Sequence, residues 1–330
     1  MAEKRYDAVA LGEALIDFID IGASQYGLKM FERNPGGAVA NAATAMARCG
    51  LQTAFIGKVG NDTHGRFLKN TLRDAGVDVS GMIVSDIAFT TLAFVEAEAE
   101  GEGSLSFARK PGADMMLLWE EIDKSIIAST KVFHIGSISL TDEPAKSATR
   151  NAVVLAKESG AAVTYDPNYR ASLWKSEGEA VEAMRSMLPY VDVIKMSGKE
   201  TELLTGEADA EKAANKLLNM GISLVAVTLG KEGAYLASPS HSAMCSGFEV
   251  PVLDTAGAGD AFLGGLVYKL LAYGKPLSSV KEKEIKEFGA FANATAAKCT
   301  EKRGAIASMP TVEETERLIS GGASIPKATP

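Results

Sequence analysis

No block of lysine or arginine appears in the 330 residues, and the formal net charge is -8. Nucleic-acid binding rests on a basic stripe, so no such partner is expected. No uncharged apolar run approaches the ~18 residues of a bilayer span, so no membrane partner is expected either. Glu13 and Asp17 interrupt the N-terminal apolar stretch too early for a signal-peptide core, which points to the cytoplasm. Cysteine is scarce: Cys49, Cys245 and Cys299 are scattered without a C-x-x-C, as reduced structural thiols would be. His64, His134 and His241 lack ligand spacing, which disfavours a zinc enzyme or a Ser-His-Asp hydrolase. The chain also lacks G-x-x-x-x-G-K-[ST], a strand-linked G-x-G-x-x-G, G-x-S-x-G, and the H-R-D and D-F-G of protein kinases.

What is present is an ordinary globular composition, 46% hydrophobic and 23% charged. Short apolar runs at 6–11, 54–59, 132–136, 162–166, 191–196 and 224–229 read as strands. Helical spacing follows at 38–49, 64–75, 145–159, 177–188 and 210–220, and again at 259–273 and 284–300. This alternation predicts an α/β fold with a mostly parallel central sheet flanked by helices. Residues 16–33 and 88–109 break the rhythm. The second segment reads as a hairpin around the acidic turn GEG, and the two segments together suit a small β-sheet lid over the strand ends. The alternative is an extension of the main sheet. The expected division is a large body of 1–15, 34–87 and 110–320, a lid of 16–33 and 88–109, and a frayed Gly/Ala/Ser/Pro-rich tail at 321–330.

The most informative stretch is VLDTAGAGDAFLGGLVYKLL, 252–271. An apolar run ends at Asp254 and Thr255, four small residues follow, and then Asp260 opens an amphipathic helix. Gly257, Ala258 and Gly259 at a helix start expose backbone N–H groups at the positive end of the dipole, an anion hole for a phosphoryl group. Asp260 beside it is placed to take a proton from an attacking hydroxyl. The alternative is that Asp254 or Thr255 merely caps the helix. Gly36, Gly37 and Asn41, at the start of an alanine-rich helix, suit sugar hydroxyls or else a plain loop-to-helix turn. Thr228, Gly230 and Gly233 follow a buried strand, where a hydroxyl and bare backbone fit a nucleotide phosphate.

DTAGAGD (254–260) and GGAVAN (36–41) resemble the two signatures of the ribokinase, or PfkB-type, carbohydrate kinases, and the resemblance runs through Pro310. It implies a Rossmann-like domain with a β lid and transfer of the ATP γ-phosphoryl group to a sugar. By position it assigns Asp260 as the base and Gly257, Ala258 and Gly259 as the anion hole. Asp17, Gly36, Gly37 and Asn41 fall at the sugar, and Thr228, Gly230, Gly233, Gly257, Lys195 and Asn293 at ATP, Asn293 on the adenine side. Glu200 matches the glutamate near the water shell of Mg²⁺; the asparagine usual in ribokinases is Ser197 here. Asp254, with the segment of Gly304 and Ser308, matches a K⁺ site built from carbonyl oxygens. FARKPGADMML, FHIGSISL, YDPNYRASLW and VIKMSGKETELLTG resemble the fructokinase branch. That likeness puts Arg109, Asn168 and Arg170 on the cleft, Arg109 or Lys110 orienting a ketose and Arg170 reaching phosphate. The implied reaction is D-fructose plus Mg·ATP to fructose 6-phosphate and ADP, by a homodimer joined through the lids. The alternatives are a 2-keto-3-deoxygluconate kinase and a catalytically silent sugar or nucleotide sensor.

Overall fold

A computed structural model describes residues 4–96 and 104–321. Its strands are β1 (Tyr6–Leu11), β2 (Leu15–Ala23), β3 (Lys29–Gly36), β4 (Thr53–Gly60), β5 (Met82–Ser85), β6 (Leu92–Glu96), β7 (Ser104–Ala108), β8 (Thr130–Ile135), β9 (Ala162–Tyr165), β10 (Val193–Ser197), β11 (Leu224–Thr228), β12 (Gly233–Ala237) and β13 (Ser242–Ser246). Nine of them form one sheet in the order β13-β12-β11-β10-β9-β8-β1-β4-β5. From β5 to β11 every neighbour pair is parallel; β11-β12-β13 is antiparallel.

Alternation along the strands supplies both faces of this sheet. Val9 and Leu11 join the core under helices Ala145–Glu158 and Glu177–Arg185, whereas Ala8 and Ala10 face helix Ala38–Arg48 and Leu263 and Val267 of helix Ala258–Tyr273. Likewise Val225 and Val227 point to the first core, and Leu224 and Ala226 to Phe262 and Phe288. β4 is buried at every position, Lys58 included, whose ammonium is held by Met116 O (3.0 Å) and Glu121 (2.6 Å).

The second sheet has the order β3-β2-β6-β7 and is separate from the first, so the extension of the main sheet is not what forms. β3-β2 and β6-β7 are antiparallel, but β2 and β6 run parallel, because the two hairpins enter from the body side by side. The GEG turn at 101–103 and the tail at 322–330 lie outside the described residues; Gly321 closes the last helix, Val312–Gly321. Among the described residues no helix is long and apolar enough to cross a membrane.

The chain leaves β1 for β4 on one side and later returns to β8 on the other. The carboxyl ends of β1 and β8 therefore flank a topological switch point, where parallel sheets leave a crevice.

Candidate active site

Two cavities meet at one helix N-terminus. The first, about 760 Å³, lies between the small sheet and the strand ends and is lined by Glu13, Asp17, Asn34, Gly37, Asn41, Phe107, Ile138, Arg170, Asp260 and Arg303, among others. The second, about 300 Å³, is an apolar slot lined by Thr228, Gly230, Gly233, Phe248, Val250, Phe262, Asn293 and Ala297, among others. The segment 255–260 stands between them: Thr255 borders both, Gly257 and Asp260 the first, Ala258 and Gly259 the second.

Helix Ala258–Tyr273 begins after Gly257, whose φ of 78° is left-handed and whose missing Cβ would lie 2.7 Å from Ala305 Cβ. No side chain caps this terminus. The Asp254 carboxylate instead accepts the N–H groups of Ala256 (2.9 Å) and Gly304 (3.0 Å), tying the loop to the chain near 304. The capping alternative is thus not realised, and the helix start remains available to an anion. Of the residues expected to form an anion hole, Ala258 turns its N–H to Thr255 O at 3.2 Å, so its amide is taken up within the loop.

Asp260 is buried at the meeting point. Asn41 Nδ2 donates to its Oδ2 at 2.8 Å, and Asn168 Nδ2 stands 3.4 Å from Oδ1. Asn168 holds a left-handed φ of 47°, a conformation asparagine tolerates better than most side chains and one that aims its amide at Asp260. Burial, followed by the charge of Asp166, pushes the Asp260 carboxyl up to about 7 against the pull of Lys195 and Asn41. Lys195 and Asp166 form a buried ion pair at 2.9 Å. Burial works against the Lys195 charge, but Asp166, Glu200 and Asp260 raise its pKa above the ordinary value. Its Nζ lies 2.7 Å from where a Gly259 Cβ would sit, so this glycine lets an ammonium pack against the helix start.

Asp17 on β2 is raised to about 6 by burial, opposed by Arg170. A Cβ on Gly36 would overlap Asp17 Oδ2, and one on Gly37 (φ 104°) would meet Glu13 O at 2.5 Å. Asn41, Asp17, Gly37 and Arg170 thus share the first cavity. Thr228, Gly230, Gly233 and Asn293 share the second. Asn293 is buried, not a helix-surface residue, but its amide donates to Cys245 O (2.8 Å) and Ser246 O (3.1 Å), so its NH₂ anchors β13.

Both oxygens of Glu200 already accept donors: Tyr169 N at 2.7 Å, and Ser197 N and Oγ at 2.8 Å each. Asp166 Oδ1 is buried without a partner among the described residues. Among those residues no group of three His, Cys, Asp or Glu side chains is placed to hold a metal. This donor set fits a hydrated divalent cation carried by phosphate oxygens, with Asp166 and Glu200 nearby, rather than a side-chain cage. The side chains of Asp254 and Ser308 are taken up within the protein, Ser308 Oγ bonding Ala305 O (2.9 Å) beside Cys299 Sγ (3.0 Å), so only carbonyls there are left for a monovalent cation.

Arg109 requires a correction. Its guanidinium is buried and its donors go to Asp114 (2.7 Å), Thr141 (2.8 Å) and Ile138 O (3.1 Å), and it is not on the wall of the first cavity. Asp114 also accepts Thr91 Oγ1. Thr91 precedes β6 and Arg109 follows β7, so this knot ties together both ends of the β6–β7 hairpin. Arg109→Met leaves Asp114 buried and unpaired and is expected to cost about 3–5 kcal/mol of stability, read by urea denaturation.

Two carboxylates escape the sequence reading. Asp166 follows β9 and Glu13 follows β1, both at carboxyl ends of parallel strands. The signal that finds them is strand order, not motif.

Residues 6–312 match the model of the pfkB family of carbohydrate kinases. The chain is 43% identical over 323 residues to a maize (Zea mays) protein named fructokinase-1, covering 97% of this chain and 99% of that one. A fructokinase variant from Vibrio cholerae O395, solved with fructose, ADP and a potassium ion, superposes with a TM-score of 0.85 at 32% identity over 97% of this chain and all of that one. A structure from E. coli described as a putative ribokinase II with ATP and Mg²⁺ gives 0.84 at 26% identity, covering 95% and 99%.

Proposed function

The chain belongs to the pfkB family of carbohydrate kinases, and from that membership we infer its activity: it phosphorylates D-fructose with ATP. The observation that carries the mechanism is the shared wall. One helix start divides a polar cavity that suits a sugar from an apolar slot that suits a nucleotide. A phosphoryl group passing between them has to cross Gly257, Gly259 and Asp260.

In our reading the reacting group is the 6-hydroxyl. Asp260 takes its proton as the oxygen attacks the γ-phosphorus, the bond to the β–γ bridging oxygen breaks, and ADP departs with that electron pair. The glycine N–H groups and Lys195 face the charge that develops on the phosphoryl oxygens. Asn41 and Asn168 hold the carboxylate of Asp260 in place. Asp17 accepts from sugar hydroxyls, and Arg170 balances the carboxylates. Mg²⁺, when bound with ATP, neutralises phosphate charge beside Asp166 and Glu200. Phe248, Val250 and Ala297 give the base an apolar slot. A K⁺ site near 254 and 304 is part of this reading, on the footing of backbone carbonyls.

Two coarser features extend the proposal. Ile21, Tyr26 and Leu28 are exposed on the β2–β3 hairpin, which supports a homodimer joined through the small sheets. Cys49, Cys245 and Cys299 are buried without a disulfide, as suits a cytoplasmic protein.

Gly36→Ala pushes a methyl into Asp17 Oδ2 while leaving the nucleotide slot untouched. It is expected to raise the KM for fructose about tenfold to 10²-fold with little change in the KM for ATP. The position of transfer is tested by NMR of the product made from fructose and Mg·ATP. Phosphorus coupled to C6 supports the reading, and phosphate on C1 would reverse the proposed orientation of the sugar.

A further inference from the structure

Glu13 is the buried acid that the reaction does not use. It stands just past β1 at the switch point, on the wall of the sugar cavity with Asp17, Gly37 and Asn41. It is 1% exposed. Oε1 accepts the Val39 N–H at 3.3 Å, at the start of helix Ala38–Arg48, while Oε2 has no partner among the described residues. Arg109 acts on it only through space, opposed by Asp114, because the Arg109 donors are committed to Asp114, Thr141 and Ile138 O.

Helix capping alone does not account for this side chain. One oxygen suffices for a long bond to Val39, and a capping serine or asparagine would do the same without burying a second acceptor. Asn41 repeats the pattern: its Nδ2 is bound to Asp260, and its Oδ1 is buried without a partner. Two unpaired polar oxygens thus sit on one cavity wall. Buried polar atoms are retained where something pairs with them, and the occupant of this cavity is a polyol. The backbone fixes the placement, since Glu13 O packs where a Gly37 side chain would begin.

We infer that Glu13 reads one hydroxyl of the ketose remote from the reacting one, and so sets the preference for a fully hydroxylated sugar over a deoxy sugar. This rests on the fructose reading of the cavity. Sites built to bond a hydroxyl reject the analogue lacking it, because the protein group is then left buried and unpaired. Burial pushes the Glu13 carboxyl up to about 7, so near neutrality it has a proton to donate as well as an oxygen to accept. Asp260 is held by Asn41 and Asn168, which places Glu13 outside the chemical step.

The test is kcat/KM for fructose and its 1-deoxy, 3-deoxy and 4-deoxy analogues, in the wild type, Glu13→Gln and Glu13→Ala. The wild type is expected to disfavour one analogue by about 100-fold or more. In Glu13→Ala, fructose itself falls by a comparable factor and the penalty on that one analogue shrinks below about tenfold, the others keeping theirs. Glu13→Gln, nearly isosteric, is expected to show the same single-analogue change at smaller size, and it stands in if the alanine variant does not fold. Penalties identical in all three proteins would make Glu13 a helix cap and overturn the inference. A wild type inactive on fructose overturns instead the reading of the cavity on which the inference rests.

Discussion

Asp260→Asn is expected to keep the fold and lose at least about 10³-fold in kcat, with little change in either KM. Asparagine preserves the volume and can still accept from Asn41, so the wall between the two cavities stays intact. What disappears is the carboxylate proposed as the base. The same carboxyl predicts the pH dependence of the wild type. Burial and Asp166 raise it to about 7, so kcat/KM climbs as pH rises toward 7 and levels off above, where the carboxylate dominates. Glu13, at about 7, and Asp17, at about 6, titrate in the same range, so the ascending limb belongs to the set. The linkage to stability runs the other way. A carboxyl whose folded pKa lies above its unfolded one contributes fully below the unfolded value, and the contribution is lost as pH rises through the folded value. Asp260→Asn removes that loss, so it is expected to melt at or above the wild type at pH 8. Near-normal turnover in the variant would remove Asp260 from the chemistry.

Lys195→Met carries the second large effect, and a second substitution separates its two causes. Lys195 and Asp166 are both buried, so removing the ammonium leaves a carboxylate in the interior and is expected to cost about 3–5 kcal/mol of stability. Removing a positive charge packed against Gly259 also weakens the proposed anion hole, with an expected loss of about 10²–10³ in kcat. Lys195→Met with Asp166→Asn pairs neither charge and leaves neither stranded. It is expected to recover most of the stability while staying about 10²–10³-fold below Asp166→Asn alone in kcat. If activity returned with stability, Lys195 would be holding the sheet and not the phosphoryl group.

Sequence legibility followed from how locally each feature is encoded. The parallel sheet was readable because each strand carries its own apolar run and each crossover its own helical period, as in Val225 and Val227 against Leu224 and Ala226. The helix start at Ala258 was readable because its small residues and Asp260 are contiguous. The β12–β13 hairpin is masked in the sequence: Gly233 reads as a phosphate-loop glycine, whereas its φ of 106° also lets β12 start hard against Cys245 O. Glu13 and Asp166 are single carboxylates whose meaning depends on which strand ends are neighbours, and nothing within a few residues of either reveals that. Arg109 misleads for the opposite reason. It lies in a stretch resembling a sugar site, but its partner Asp114 sits beyond a proline turn, and their pairing depends on Thr91 and Ile138 from two other segments.

The most direct measurement is ADP release with Mg·ATP across fructose, 2-keto-3-deoxygluconate, ribose, glucose and adenosine, with and without K⁺, compared as kcat/KM. The proposed function predicts fructose well above every other acceptor, and the proposed carbonyl site near 254 and 304 predicts a higher rate with K⁺. A preference for 2-keto-3-deoxygluconate would keep Asp260 and the anion hole but contradict the substrate, with Arg170 and Arg303 then serving its carboxylate. Silence on every sugar, with ATP still bound, would contradict the account as a whole.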